Sequence, residues 1–209
     1  MSKKSTAELS TLYHGTPHVI HTSRQPFLDP RKAVVGNDLG DPEGRCVYAT
    51  TDMLRASFFA FKTAGTRSIY MTGGLAPLMV YDSALPHPTH LRNVYEVQKT
   101  GFKEIIRPDG QDGMWAIPES AMPLVYDSVT DAEVPGVPVG QPYRELTFGQ
   151  FIVEHQVGIY NLSKDVPAET YLREARAAGA AGCKDEFFLQ AIEQGWIQDV
   201  TYRIVAAVH

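Results

Sequence analysis

The chain has 209 residues, 44% of them hydrophobic and 21% charged, with a formal net charge of -5. That length buries a core without disulfide or metal staples, and one domain is the expected organisation. The slight acidity excludes the overall basic surface of a nucleic-acid-coating protein, and no apolar run approaches the ~20 residues of a helical membrane span.

The first ten residues hold Lys3 and Lys4 with no apolar stretch behind them, so residues 1–10 are expected to be a flexible tail rather than a signal peptide. The folded domain is expected to cover 11–209 in the cytoplasm. Cys46 and Cys183 stand far apart in no paired spacing and are expected as small buried hydrophobes, although a bridge between them stays open. Residues 11–14 read as a strand that enters a turn at Gly15-Thr16-Pro17. From 26 to 44 the chain is rich in Pro, Gly and Asp, which is loop composition. Arg24, Arg31 and Lys32 stand in or beside it as a solvated group or a local basic patch.

A strand over 46–49 follows, and then a helix over 53–63 with Asp52 as its N-cap, where a carboxylate accepts from free backbone N–H groups. Ala56, Phe59 and Ala60 have the i, i+3, i+4 spacing of an apolar face. β-Branched and aromatic content predicts strands over 68–71, 78–81, 94–97 and 122–126. The prolines and glycines of 131–142 predict an extended loop. Residues 150–154 read as a strand, 168–196 as helix broken near 179–182, and 200–208 as a closing strand. Strands dominate without regular βαβ alternation, which predicts the α+β class and a helical C-terminal segment.

Several chemistries lack their motif: there is no phosphate-binding Gly-x-x-x-x-Gly-Lys loop, no dinucleotide Gly-x-Gly-x-x-Gly, no nucleophile elbow and no His-Glu-x-x-His helix. His14, His18 and His21 are close in sequence, as are His87 and His90, but Pro17 interrupts the first set and neither has a placed acidic or cysteine partner, so no metal site is expected. Two short motifs remain, Leu12-Tyr13-His14-Gly15-Thr16 and Val47-Tyr48-Ala49-Thr50-Thr51-Asp52 with Ala56 beyond it. Each has a bland reading: His14 bonding a backbone carbonyl at a turn, and Tyr48 as a half-buried strand aromatic before a capped helix.

In order and in separation by a variable loop, the two motifs resemble the ADP-ribosyltransferase-like superfamily, in its branch related to diphtheria toxin and the poly(ADP-ribose) polymerases. The resemblance covers about fifty residues, from Leu12 to Lys62, with a weaker echo from Gln150 to Tyr160. It implies a split, mostly antiparallel sheet flanked by helices, with NAD as substrate. His14 would bond the adenosine ribose, Gly15 would offer its backbone to the nicotinamide carboxamide beside Thr16, and Tyr48 would stack on the nicotinamide ring. Thr50 or Thr51 would match the small hydroxyl residue at the helix start. Phe58 and Phe59 suit core packing, and Phe59 is also carried as a ligand-facing candidate.

The family's third residue, usually Glu at the start of a later strand, is best matched by Gln150 ahead of Phe151-Ile152-Val153, with Glu154, Glu145 and Glu96 as alternatives. A carboxylate stabilises developing positive charge directly, whereas an amide positions a hydroxyl and stabilises the cation far less. The implied activity is transfer of ADP-ribose to a protein, nucleic acid or small-molecule acceptor, with release of nicotinamide. A non-catalytic NAD or ADP-ribose-binding module and an NAD glycohydrolase are the alternatives. Trp115, after a Gly-rich turn, is either a core residue or a stacking surface for a target ring.

Overall fold

The computed structural model describes residues 11–17, 20, 26–30, 45–70, 76–105 and 113–206. The expected N-terminal tail, Arg24, Arg31, Lys32, His18 and His21 lie outside them. In chain order the elements begin with β1 (Thr11–Thr16), β2 (Phe27–Leu28), β3 (Cys46–Thr50), α1 (Met53–Phe61), β4 (Thr66–Tyr70), β5 (Leu78–Tyr81) and β6 (Leu91–Gln98). Next come β7 (Lys103–Ile105), β8 (Met114–Pro118), β9 (Leu124–Asp127), β10 (Ala132–Pro135), β11 (Val137–Pro138) and β12 (Arg144–Thr147). The chain continues through α2 (Phe148–His155), β13 (Gly158–Leu162), α3 (Ala168–Ala180), α4 (Lys184–Glu193), β14 (Ile197–Asp199) and α5 (Thr201–Val205).

The class is α+β, with mostly antiparallel pairing. A six-stranded sheet runs β12-β6-β1-β3-β8-β7 and a four-stranded sheet runs β14-β13-β5-β4; β13 with β5 is a parallel pair. Two short pairs, β10-β9 and β11-β2, complete the described strands. No helix among the described residues is long and apolar enough to cross a membrane.

The period of two along a strand gives each face of the large sheet its own layer. On one face, Leu12, Val47, Ala49, Tyr95, Val97 and Ile117 pack beneath Leu28, Val137 and Val139 of the β2-β11 pair. On the other lies α1, whose Phe58 and Phe61 join Leu146, Phe148, Phe151 and Ile152. Phe61 stacks on Phe151 at 4.8 Å, and Phe58 meets Phe151 edge-on at 5.0 Å. Aromatic pairs of this kind contribute about 0.5–1.5 kcal/mol beyond area burial. A third cluster, with Leu78, Val80, Tyr171, Phe188 and Ile197, seats α3 and α4 on the smaller sheet.

Gly15 is where β1 and α1 touch. A Cβ built there would stand 1.7 Å from the Ala56 carbonyl oxygen and 2.8 Å from the Ala60 nitrogen, so glycine alone permits the contact. Asp52 caps α1 as expected, its Oδ1 accepting from Leu54 N at 2.8 Å. The buried face of that helix runs through Ala56, Ser57, Phe58, Ala60 and Phe61, leaving Phe59 half-buried; Phe58 takes the core role expected of Phe59.

Three expectations are corrected. Residues 150–154 are helical, not a strand: they belong to α2, where Phe148, Phe151 and Ile152 have helical spacing and all are buried. The chain over 201–205 is α5, and the closing strand is β14 ahead of it, ending in Asp199, whose carboxylate accepts from Thr201 N at 2.8 Å. The stretch 131–142 is not all loop, since it supplies β10 and β11.

Candidate functional site

His14 stands on β1 with its Nδ1 2.6 Å from the Tyr48 carbonyl oxygen. A carbonyl only accepts, so Nδ1 carries the proton and donates. Burial pushes the imidazole below its ordinary pKa, against the opposing pull of that same carbonyl, so the ring is neutral at physiological pH. Its Nε2 is therefore a lone-pair acceptor. The backbone-carbonyl contact foreseen as the bland reading is present, and it fixes the tautomer that a hydroxyl-binding histidine needs.

The strands around His14 are only loosely joined on one side. β1 pairs with β6 along its whole length, from Thr11 opposite Gln98 to Thr16 opposite Asn93. With β3 it shares a single matched pair, Tyr13 opposite Thr50. The His14–Tyr48 hydrogen bond crosses between the two strands at that parting.

Facing residues in a register share a sheet face, which sorts the candidates. His14 lies opposite Tyr95, and Thr16 opposite Asn93, which in turn lies opposite Glu145 on β12. These five share the face of Leu12 and Val97. Tyr13 and Gly15 point to the α1 side, with Glu96 opposite Tyr13. Tyr48 alternates with Val47 and Ala49, which belong to the layer under β2-β11, so its ring leaves β3 on the α1 side. His14 and Tyr48 are thus joined through ring and backbone at the parting, while their side chains leave opposite faces.

Thr16 is buried at the end of β1. Thr50 is fully buried, and its Oγ1 accepts from Asp52 N at 3.1 Å, so it holds the turn ahead of the helix cap. Thr51 is exposed and ties its backbone N–H to the Gly113 carbonyl at 3.1 Å. Gln150 is the third residue of α2, not the head of a strand. Its Oε1 accepts from Thr147 N at 2.9 Å while Thr147 Oγ1 accepts from Gln150 N at 3.2 Å, a closed capping box. Of the alternatives, Glu154 is ion-paired with Arg144, whose side chain is on the α1 side opposite Val94. Glu96 is also on the α1 side. Glu145 is exposed, and among the described residues no ion pair engages it.

The residue that sequence reasoning missed is Asn93. Its Nδ2 donates to the Tyr95 hydroxyl at 3.2 Å, and its Oδ1 is buried without a hydrogen-bond partner. Leaving such an acceptor unmet costs about 1–3 kcal/mol. Position 93 fell just ahead of the strand expected over 94–97, and a lone Asn gives no motif. Trp115 is half-buried on the His14 face, its Nε1 also buried without a partner and the Lys99 ammonium 4.0 Å above its ring. A shallow depression of about 350 Å³ lies elsewhere, near Ile152, Gln156, Tyr160 and Thr201, and none of the candidates lines it. Among the described residues no group of three or more His, Cys, Asp or Glu side chains could hold a metal ion.

Compared with family models, curated proteins and solved structures, the chain matches none of them.

Proposed function

We propose that this chain is an NAD-dependent ADP-ribosyltransferase, acting on a protein, nucleic acid or small-molecule acceptor, with His14 as the ribose-binding residue and Glu145 as the carboxylate of the site. The observation that carries the reading is the fixed tautomer of His14: Nδ1 donates to Tyr48, and a neutral Nε2 acceptor is presented at the end of the Tyr-His-Gly-Thr strand. Glu145 is preferred over Gln150 because it is a carboxylate on the His14 face, two strands away, whereas the Gln150 amide is engaged in a helix cap. The ligand-binding role of Thr16, on the His14 face, belongs to the same proposal; Gly15, Tyr48, Thr50 and Phe59 lie on the α1 side of the sheet, and their ligand roles are not part of this site.

The chemistry asked of these groups is limited. The C1′–N bond of NAD breaks, both electrons leave with nicotinamide, and positive charge develops on C1′ and the ring oxygen. A carboxylate beside that centre stabilises the charge electrostatically. The acceptor then bonds C1′ from its nucleophilic atom and loses its proton to solvent or to a base.

Labelled NAD, incubated with the protein alone and with lysate or nucleic acid, tests the proposal. Labelled acceptor together with free nicotinamide supports transfer, and nicotinamide alone identifies water as the acceptor. A second reading is a module that binds NAD without cleaving it, favoured by the absence of any described ion pair holding Glu145 in place. Binding without nicotinamide release selects it; no binding removes both readings.

A further inference from the structure

Asn93 has no role in the transfer chemistry, yet it keeps an unmet acceptor on the face that carries His14. The two residues occupy diagonal positions on neighbouring strands, since His14 is opposite Tyr95 and Asn93 stands two residues from Tyr95. Diagonal neighbours are separated by ~7–8 Å at the backbone, a gap that an imidazole and an amide narrow from both sides. Each presents an acceptor: Nε2 of His14, by the tautomer that the Tyr48 carbonyl imposes, and Oδ1 of Asn93, whose Nδ2 is turned to the Tyr95 hydroxyl.

Two neutral acceptors at diagonal positions on one sheet face match a ligand with two donors on adjacent carbons. The cis-2′,3′-diol of a ribose is such a group. A 2′-phosphate is its opposite, an anion that only accepts. Among the described residues, the cations within these strands, Arg92 opposite Leu146 and Arg144 opposite Val94, are both on the α1 side, and Lys99, just past β6, is held over the Trp115 ring. Glu145, opposite Asn93, adds a negative charge on the diol side.

We propose that Asn93 is a specificity-determining residue that, with His14, reads the free 2′,3′-diol of the adenosine ribose and so selects NAD against NADP. The inference rests on the ADP-ribosyltransferase reading above.

Titration calorimetry of the full chain with NAD, NADP and 2′-deoxyadenosine-NAD tests it. The wild-type protein is expected to bind NAD at least tenfold more tightly than either analogue, the effect of about one hydrogen bond. Asn93→Leu is expected to lose about tenfold in NAD affinity while NADP affinity holds, so that the preference collapses. Asn93→Asp keeps an acceptor at the same place and adds a negative charge that repels a 2′-phosphate, so it is expected to widen the preference, an outcome that a merely structural role for Asn93 does not produce; an unchanged or narrowed preference counts against the inference. Circular dichroism checks that both variants fold; should Asn93→Leu not fold, the wild-type analogue series and Asn93→Asp decide the matter. Equal wild-type binding of NAD and NADP, or an undiminished preference in Asn93→Leu, overturns the diol inference and leaves the transfer reading standing. Absence of NAD binding to the wild-type chain removes the transfer reading and this inference together.

Discussion

The two faces of the six-stranded sheet solve different problems. The α1 face is a packing solution: Phe58, Phe61, Phe148 and Phe151 interlock, and Gly15 gives up its side chain so that the helix can rest on β1. The opposite face is also largely apolar, yet it keeps Asn93 Oδ1 and Trp115 Nε1 buried and unmet beside a tautomer-fixed His14. Stability alone gives no reason to keep such atoms, because an apolar residue of similar shape would remove their cost. The α1 side also holds a buried, unmet atom, His155 Nε2 beside Phe151, so what sets the opposite face apart is that its unmet acceptor shares a face with His14.

The comparison can be broken most forcefully at Phe151. Phe151→Ala removes a fully buried ring between Phe58 and Phe61 and is expected to cost about 3–5 kcal/mol in urea unfolding. A cost below 1 kcal/mol would mean that the α1 face is not the packed one. On the other face, Glu145→Gln is expected to slow nicotinamide release by about 10²–10³-fold at unchanged stability. Full turnover in that variant would take the carboxylate role away from Glu145.

Gly15→Ala tests the join between helix and strand. With a carbonyl oxygen 1.7 Å from the new methyl carbon, the expected loss is about 3 kcal/mol of stability. Unaltered unfolding with lost NAD binding would instead make Gly15 a ligand residue before a packing one. Gln150→Ala opens the capping box and is expected to lower stability by about 0.5–1 kcal/mol while nicotinamide release persists. A variant that keeps its melting temperature but loses all activity would return Gln150 to the site.

The smallest effect concerns pH. Because burial lowers the His14 pKa, the unfolded chain binds the proton more readily than the folded one just below the ordinary value of about 6.5. The His14 contribution is therefore complete above pH 6.5 and is lost as pH falls below it toward the folded value. His90 and His155 are shifted in the same direction. His14→Gln should flatten only part of the decline in melting temperature below pH 6.5, and an unchanged slope would contradict the burial of a neutral ring.

The described residues up to Phe61 were the most legible. Strand β1, strand β3 and the Asp52-capped helix each carry a local signal, namely β-branched and aromatic runs or a cap before an apolar face. Misreading 150–154 had a physical cause: Phe151-Ile152-Val153 has strand composition, and tertiary context overrode that propensity. The deciding signal was nonetheless present, because Thr147 and Gln150 have the spacing of a capping box ahead of helically spaced apolar residues. Residues 200–208 misled in the same way through Val200, Tyr202, Ile204 and Val205. Glu145 was legible only as one acid among several. What singles it out is register across β6, and non-local pairing leaves no mark in a local window.

The single matched pair between β1 and β3 has a mechanical consequence. The large sheet is two three-stranded leaves, β12-β6-β1 and β3-β8-β7, stitched at Tyr13 and Thr50 and spanned by the His14–Tyr48 bond. Helix α1 packs against both leaves, chiefly β1, and serves as the splint across them. Any widening of the seam at that point lengthens the bond by which the imidazole bridges it.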